Sequence, residues 1–148
     1  MADLELVRRL AAADLNLAVL AVARPDGSVQ ASVVSAGVIE DPVDGTPGIG
    51  AVVGGSSRKL GLLRHAGMAT FVFKSGFEWV AVSGPVRLIG PDDGMAFGLD
   101  VPELVRSVFR AAGGSHDDWD EFDRVMAAER RCAVFVPAER ISSNPTTG

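Results

Sequence analysis

The sequence predicts a mainly β protein, an antiparallel barrel with helices at its flanks. Six apolar segments of strand length are separated mostly by short turns, and few helices lie between them. Parallel strands need long, usually helical crossovers, so this order favours antiparallel pairing. With 148 residues, of which 47% are hydrophobic, the chain is long enough to bury one core. We expect a single domain over residues 1–148, with residues 142–148 as a loose tail.

The first third of the chain predicts a helix followed by a β-hairpin. Residues 3–13 carry apolar side chains at the spacing of an amphipathic helix. Residues 17–23 and 28–40 predict two strands, and the Pro25-Asp26-Gly27 sequence between them is typical of a hairpin turn. Gln30 and Ser32 share one face of the second strand because side chains alternate along it. This polar pair either faces water or lines a site.

The rest of the chain predicts four more strands and further helices. Residues 41–48 contain two prolines and two glycines and predict a loop, which a short buried strand follows at residues 49–53. Strands are predicted at residues 68–74 and 77–89, with a bend at Gly84-Pro85. The acidic stretch 100–130 predicts two helices broken near Gly113. Residues 131–136 predict the last strand.

Residues 54–59, Gly-Gly-Ser-Ser-Arg-Lys, predict an anion-binding turn at the start of a helix. The two glycines allow close approach of the backbone, and Ser56 or Ser57 can cap the helix that follows. Free N–H groups at a helix start attract anions, and Arg58 and Lys59 add formal charge. The alternative is a capped surface helix with two solvated cations.

Composition and the remaining motifs exclude several classes of function. A net charge of −5 and a pI near 4.9 argue against a general nucleic-acid surface. The longest apolar run has seven residues, Leu17–Ala23, far fewer than the roughly 20 of a membrane-spanning helix. We therefore expect a soluble, cytoplasmic protein that contacts neither membrane nor nucleic acid.

Candidate motifs for metal binding, nucleotide binding and nucleophilic catalysis are better explained structurally. The single cysteine, Cys132, lies in a predicted strand and is expected to pack in the core. The glycines of residues 48–54 span a strand, whereas a dinucleotide fingerprint opens a helix. The acidic residues of 116–123 complement the dipole of a predicted helix start. We predict no metal site and assign no catalytic side chain.

Several segments of the chain occur in a recognisable order. They are the Pro-Asp-Gly hairpin, the strand with Gln30 and Ser32, the Ser57-Arg58-Lys59 turn, residues 69–73, residues 79–84, residues 116–119 and the Arg130-Arg131 pair. In this order they resemble the pyridoxamine 5'-phosphate oxidase-like split β-barrel superfamily. The resemblance is closer to a small branch that uses the deazaflavin coenzyme F420, and it covers residues 4–141.

The resemblance implies a homodimer of split barrels with a cofactor cleft at each of two equivalent interface sites. In such proteins the lysine matching Lys59, with Arg58 and Ser57, holds the cofactor phosphate, while Gln30 and Ser32 line the cleft near the ring. Trp79 packs at the cleft or the dimer seam, or is a core aromatic. The implied reaction is hydride delivery from reduced F420 to a small conjugated organic substrate.

Three alternatives stay open within the same fold. They are an FMN-dependent oxidase or reductase, a haem- or tetrapyrrole-binding protein and a non-catalytic carrier of a flavin or deazaflavin. Pyridoxamine phosphate oxidation is disfavoured, because the tail after Arg140 is too short to build a substrate-phosphate site. The chain also departs from close relatives at Val33, where they often carry a polar residue, and at residues 60–62.

Overall fold

Eight strands and four α-helices form in the part of the chain that the computed structural model describes, residues 3–94 and 97–144. In chain order they are α1 (Leu4–Ala13), β1 (Leu17–Ala23), β2 (Val29–Glu40), β3 (Pro47–Val53), α2 (Arg58–Ala66), β4 (Met68–Ser75), β5 (Glu78–Pro85), β6 (Arg87–Ile89), α3 (Val101–Ala111), α4 (Trp119–Ala128), β7 (Cys132–Pro137) and β8 (Arg140–Ser143).

The strands form one antiparallel sheet in the order β6-β7-β3-β2-β1-β4-β5-β8. The two edge strands of this sheet are β6 and β8. Short connections from β5 to β6 and from β7 to β8 link the two ends of the sheet. β5 pairs with β8 and β6 pairs with β7, so the sheet curls into a barrel. The predicted antiparallel split β-barrel is confirmed.

Two predicted boundaries are wrong. The segment 77–89 is two strands, because the bend at Gly84-Pro85 lets β5 and β6 join different partners. A Cβ on Gly84 would lie 2.7 Å from the carbonyl oxygen of Pro137, so a larger residue would not fit where these chain segments cross. The tail does not begin at Ser142, because β8 pairs Ser142 with Ala81 of β5. Residues 145–148 lie outside the described part of the chain.

The barrel interior is closed by α1 and α2. α1 is capped by Asp3, whose side chain accepts a hydrogen bond from the backbone N–H of Leu6 at 3.0 Å, and the helix buries Val7 and Leu10. α2 buries Leu60 and Leu63 in the same cluster. The predicted first helix is confirmed, and both helices pack by the apolar stripe that their sequences show.

α3 packs against the opposite, outer face of the sheet. A Cβ on Gly37 of β2 would lie only 1.8 Å from the carbonyl oxygen of Ala111, so glycine is what allows this helix to approach the strand. Val108 of α3 is buried against Phe135 of β7. The outer-face residues Val29, Ala31 and Val33, in the half of β2 that pairs with β1, are exposed.

Candidate functional site

A cleft of about 390 Å³ opens between the outer face of the sheet and the helices α3 and α4. β2 and β3 provide its floor, α3 and α4 provide its wall, and two cations, Lys59 and Arg131, lie among its lining residues. Its lining includes Val33, Val34 and Ser35 of β2, Val52 and Val53 of β3, Phe109 of α3 and Met126 of α4. The cleft therefore combines an apolar surface with two positive charges.

The start of α2 presents hydrogen-bond donors together with Lys59. The Ser57 hydroxyl oxygen accepts from the Lys59 backbone N–H at 3.2 Å and caps the helix, so the hydroxyl hydrogen remains available to donate. Among the described residues, no acceptor receives the backbone N–H groups of Ser56 and Arg58, and no carboxylate pairs with the Lys59 ammonium group. A phosphate at this point would meet unused donors and an unpaired charge.

Arg131 lies at the same cleft because Gly55, in the turn before α2, is hydrogen-bonded to the end of α4. The Gly55 N–H donates to the carbonyl oxygen of Glu129 at 3.0 Å, and a Cβ on Gly55 would lie 2.4 Å from the carbonyl oxygen of Arg130. Arg131 donates through Nε to a Glu129 carboxylate oxygen at 2.8 Å. Its two terminal nitrogens donate to no acceptor among the described residues.

Phe109, the aromatic residue in the wall of the cleft, packs against other aromatic side chains of α4. Phe109 packs against Phe122, with ring centroids 4.8 Å apart, and lies edge-on to Trp119 at 6.2 Å. The Arg110 guanidinium lies 4.6 Å from the centroid of the Trp119 ring. Such contacts each contribute about 0.5–1.5 kcal/mol beyond the area they bury. The two ring contacts restrict the position of Phe109 in the wall of the cleft.

An ion pair between α3 and α4 fixes the helices that carry this wall. Arg106 donates through Nε to Asp123 at 2.9 Å and makes a second contact through a terminal nitrogen. The hydrogen bonds from Arg106 hold the pKa of the Asp123 carboxyl below its usual value. The charged form of Asp123 is therefore favoured in the folded state.

Asp123→Asn is expected to lower the free energy of unfolding more at pH 7 than at pH 3. A carboxyl whose pKa is depressed on folding adds stability above its unfolded pKa of about 3.9, and that stability is lost as the pH falls through the folded pKa. Urea unfolding at both pH values measures the difference between variant and parent. A gap that stays constant with pH would contradict this role for the pair.

The structure brings some of the predicted site residues together and not others. Lys59 lines the cleft, and Ser57 and Arg58 lie next to it at the helix start. Gln30 and Ser32 do not reach the cleft, because they pair with Val22 and Leu20, whose side chains are buried in the barrel interior. Gln30 accepts from Arg24 at 2.6 Å, and the Ser32 hydroxyl is buried without a hydrogen-bond partner among the described residues.

Trp79 lies neither in the core nor in the cleft. Its side chain is 37% exposed on the outer face of β5, so the reading of Trp79 as a core aromatic is wrong. β1 and β4 lie between Trp79 on β5 and the cleft residue Ser35 on β2, so Trp79 is distant from the cleft. Its expected place at a dimer seam remains a prediction.

Sequence reasoning missed Arg131 and the outer face of β2 as parts of the site. The Arg130-Arg131 pair directly after an acidic helix could have indicated that Arg131 belongs to the site. Val33 was singled out only as a departure from relatives, yet it is 65% exposed and lines the cleft. No periodic pattern could assign it, since an exposed valine and a buried one look the same in sequence.

Three further features of the described residues concern the thiol, metal-binding side chains and helix length. Burial raises the pKa of the Cys132 thiol to about 12, so this cysteine packs in the core and is not a nucleophile at neutral pH. No group of three or more metal-binding side chains occurs in residues 3–94 and 97–144. No helix of these residues combines the length and apolar character needed to cross a membrane.

Solved structures with similar folds place the chain among the split barrels. A conserved hypothetical protein from Mycobacterium tuberculosis superposes with a TM-score of 0.68 at 19% identity, over 100% of this chain and 91% of that one. A pyridoxamine 5'-phosphate oxidase-related, FMN-binding protein from Nostoc punctiforme gives 0.59 at 15% identity, over 94% and 80%. A protein described as an F420 reductase gives 0.58 at 14% identity, over 88% and 91%.

At the level of sequence, neither a protein-family model nor a curated protein matches the chain. Identities of 14% to 19% show a shared fold alone. The chain therefore has the antiparallel split β-barrel fold that flavin- and deazaflavin-related proteins also use, with a cationic, apolar-walled cleft on its outer face.

Proposed function

We propose that this protein is an oxidoreductase that uses reduced coenzyme F420 to deliver hydride to a small conjugated organic substrate. The observation that carries the proposal is the cleft in which Lys59 and the start of α2 face an apolar floor and wall. A deazaflavin joins an apolar ring to a phosphate, and the cleft offers a matching surface to each. The similar folds of an F420 reductase and an FMN-binding protein support the same class of ligand.

The residues present fit the phosphate end of such a cofactor. Lys59 would contribute a charge-assisted contact, the N–H groups of Ser56 and Arg58 would donate, and the Ser57 hydroxyl would donate its free hydrogen. Open space lies beside Gly54, since a Cβ placed there would meet no atom within 4 Å. The turn therefore has both the donors and the room that a phosphate needs.

The apolar residues of the cleft would orient the ring and keep water away from the reacting atoms. Val33 and Val52 would lie against one side of a flat ring, with Phe109 and Met126 towards the other. When bound, the reduced cofactor supplies the hydride, so the protein has to provide position and a dry surface. No side-chain acid or base is assigned to the reaction.

We also propose that the protein is a homodimer that closes the cleft with a second copy. Val29, Ala31 and Val33 are exposed on the outer face of β2, which continues from the cleft floor. The neighbouring row across the sheet, Ala31, Ala21, Thr70 and Ser83, consists of small side chains that allow close approach. A contiguous apolar face of this kind is characteristic of an interface.

F420 is expected to bind at least tenfold more tightly than FMN, a difference of about 1.4 kcal/mol. F420 extends its phosphate into a polyanionic glutamate tail, and Arg58 is exposed beside Lys59 at the helix start. This added attraction should shrink as salt screens it. Parallel fluorescence titrations with both cofactors, at low and high ionic strength, measure the preference.

FMN is the second candidate because a similar fold belongs to an FMN-binding protein. Its doubly charged phosphate can use the same donors at the start of α2. FMN binding that equals or exceeds F420 binding, or a yellow protein on purification whose released chromophore is FMN, would assign the cleft to FMN. Tight F420 binding without turnover of any electron acceptor would instead indicate a carrier.

A further inference from the structure

A second cavity of about 330 Å³ lies on the other side of the residues that wall the cleft. It is formed between α3, α4 and the turn before them, and its apolar lining comes from Pro91, Val101, Pro102, Val105, Met126 and Ala127. Met126 and Arg131 line both this cavity and the cleft. These two side chains therefore form the partition between the two spaces.

Three charged side chains reach the second cavity, and each has an ion-pair partner within the protein. Asp123 is held by Arg106, and Arg130 forms a two-bond ion pair with Asp92. Arg131 differs in that it pairs with the Glu129 carboxylate through Nε alone, so its two terminal nitrogens donate to no acceptor among the described residues. The cavity thus offers apolar walls and one guanidinium with free donors at its border with the cleft.

We propose that the second cavity is a binding site for the apolar arm of a small anionic molecule, whose carboxylate or comparable oxyanion is held by Arg131. Burial of an arm against the six apolar residues supplies affinity, and the planar guanidinium supplies a two-point contact to the anion. The partition residues place such an anionic group at the edge of the cleft. As a substrate subsite this rests on the proposed oxidoreductase function, whereas binding itself does not require a cofactor.

Two fluorescent probes with one skeleton separate the apolar and ionic parts of this site. 8-Anilinonaphthalene-1-sulfonate carries a sulfonate, and N-phenyl-1-naphthylamine is the same molecule without it. Ala127 is exposed on α4 and lines the cavity, so Ala127→Phe fills the space without disturbing the core. Ala128→Phe, one residue further along α4 and outside the cavity lining, is its matched control.

Titration of the full-length, cofactor-free protein is expected to show saturable binding of both probes. Ala127→Phe should weaken both by at least tenfold, and Ala128→Phe should leave both unchanged. Arg131→Gln should weaken the sulfonate by roughly tenfold and the neutral probe by less than twofold, while Arg131→Lys restores part of the sulfonate affinity. Arg124→Gln, an exposed arginine of α4 outside both cavities, is the charge control.

Binding that survives Ala127→Phe would overturn the proposal, because the probes would then lie elsewhere on the protein. Equal effects of Arg131→Gln on both probes, or none on either, would overturn the role of Arg131. Matched thermal unfolding of all variants shows that each is folded. Since no cofactor enters the titration, F420 binding can succeed while this test fails, and the two proposals are separately decided.

Discussion

Replacing Lys59 with alanine is expected to weaken F420 binding by roughly 10- to 150-fold, because a charge-assisted contact to phosphate contributes about 1.5–3 kcal/mol. The same change should leave the free energy of unfolding almost unaltered. Lys59 forms no ion pair among the described residues, and alanine is at least as good a helix former as lysine. Fluorescence titration and urea unfolding of the same variant separate the two effects.

Lys74→Ala is the matched control, since Lys74 is exposed on β4 and does not line the cleft. Its cofactor affinity should equal that of the parent. If Lys59→Ala and Lys74→Ala both retain the parent's affinity, the phosphate does not bind at the start of α2. A Lys59→Ala protein that loses stability and affinity together would instead show that Lys59 supports the fold.

Ala31→Asp is expected to raise the dissociation constant of the proposed homodimer by at least 100-fold, or about 2.7 kcal/mol. A two-fold dimer contains each substitution twice, and each unpaired carboxylate would be taken out of water by the partner sheet. In a single copy Ala31 is exposed, so the aspartate would remain hydrated and the fold intact. Light scattering or sedimentation over a range of concentrations measures the shift.

Val43→Asp provides the comparison, because Val43 is an exposed apolar residue in the loop before β3, away from the proposed interface. It should not alter the state of association. A parent protein with a mass near 15.4 kDa at micromolar concentration would refute the dimer directly. Unchanged association of Ala31→Asp would move the interface to another face.

Local chemistry explains why much of the fold could be predicted. The Asp3 cap and the three- and four-residue spacing of apolar side chains define α1, and the Pro-Asp-Gly turn defines the hairpin of β1 and β2. The capping role of Ser57 and the exposure of Arg58 at the start of α2 follow from the same short segment. Each of these features depends on residues only a few positions apart.

β8 could not be predicted in this way. Its four residues, Arg-Ile-Ser-Ser, carry little strand preference of their own. They become a strand because β5 presents an unpaired edge, which the end of the chain reaches after β7. Pairing with a distant segment supplied the stabilisation that the local sequence lacks.

Because side chains alternate along any strand, local sequence is enough to place Gln30 and Ser32 on one face of β2 and Val33 on the other. Which of the two faces meets the cleft depends on strand pairing: opposite Leu20 and Val22, the polar pair points towards the barrel interior. In the same way, the local sequence predicts an anion-binding role for Lys59. The position of Arg131 at the same cleft depends on the long-range hydrogen bond from the Gly55 N–H to the Glu129 carbonyl oxygen. Periodicity specifies which side chains point the same way, whereas burial and proximity depend on what packs against each face.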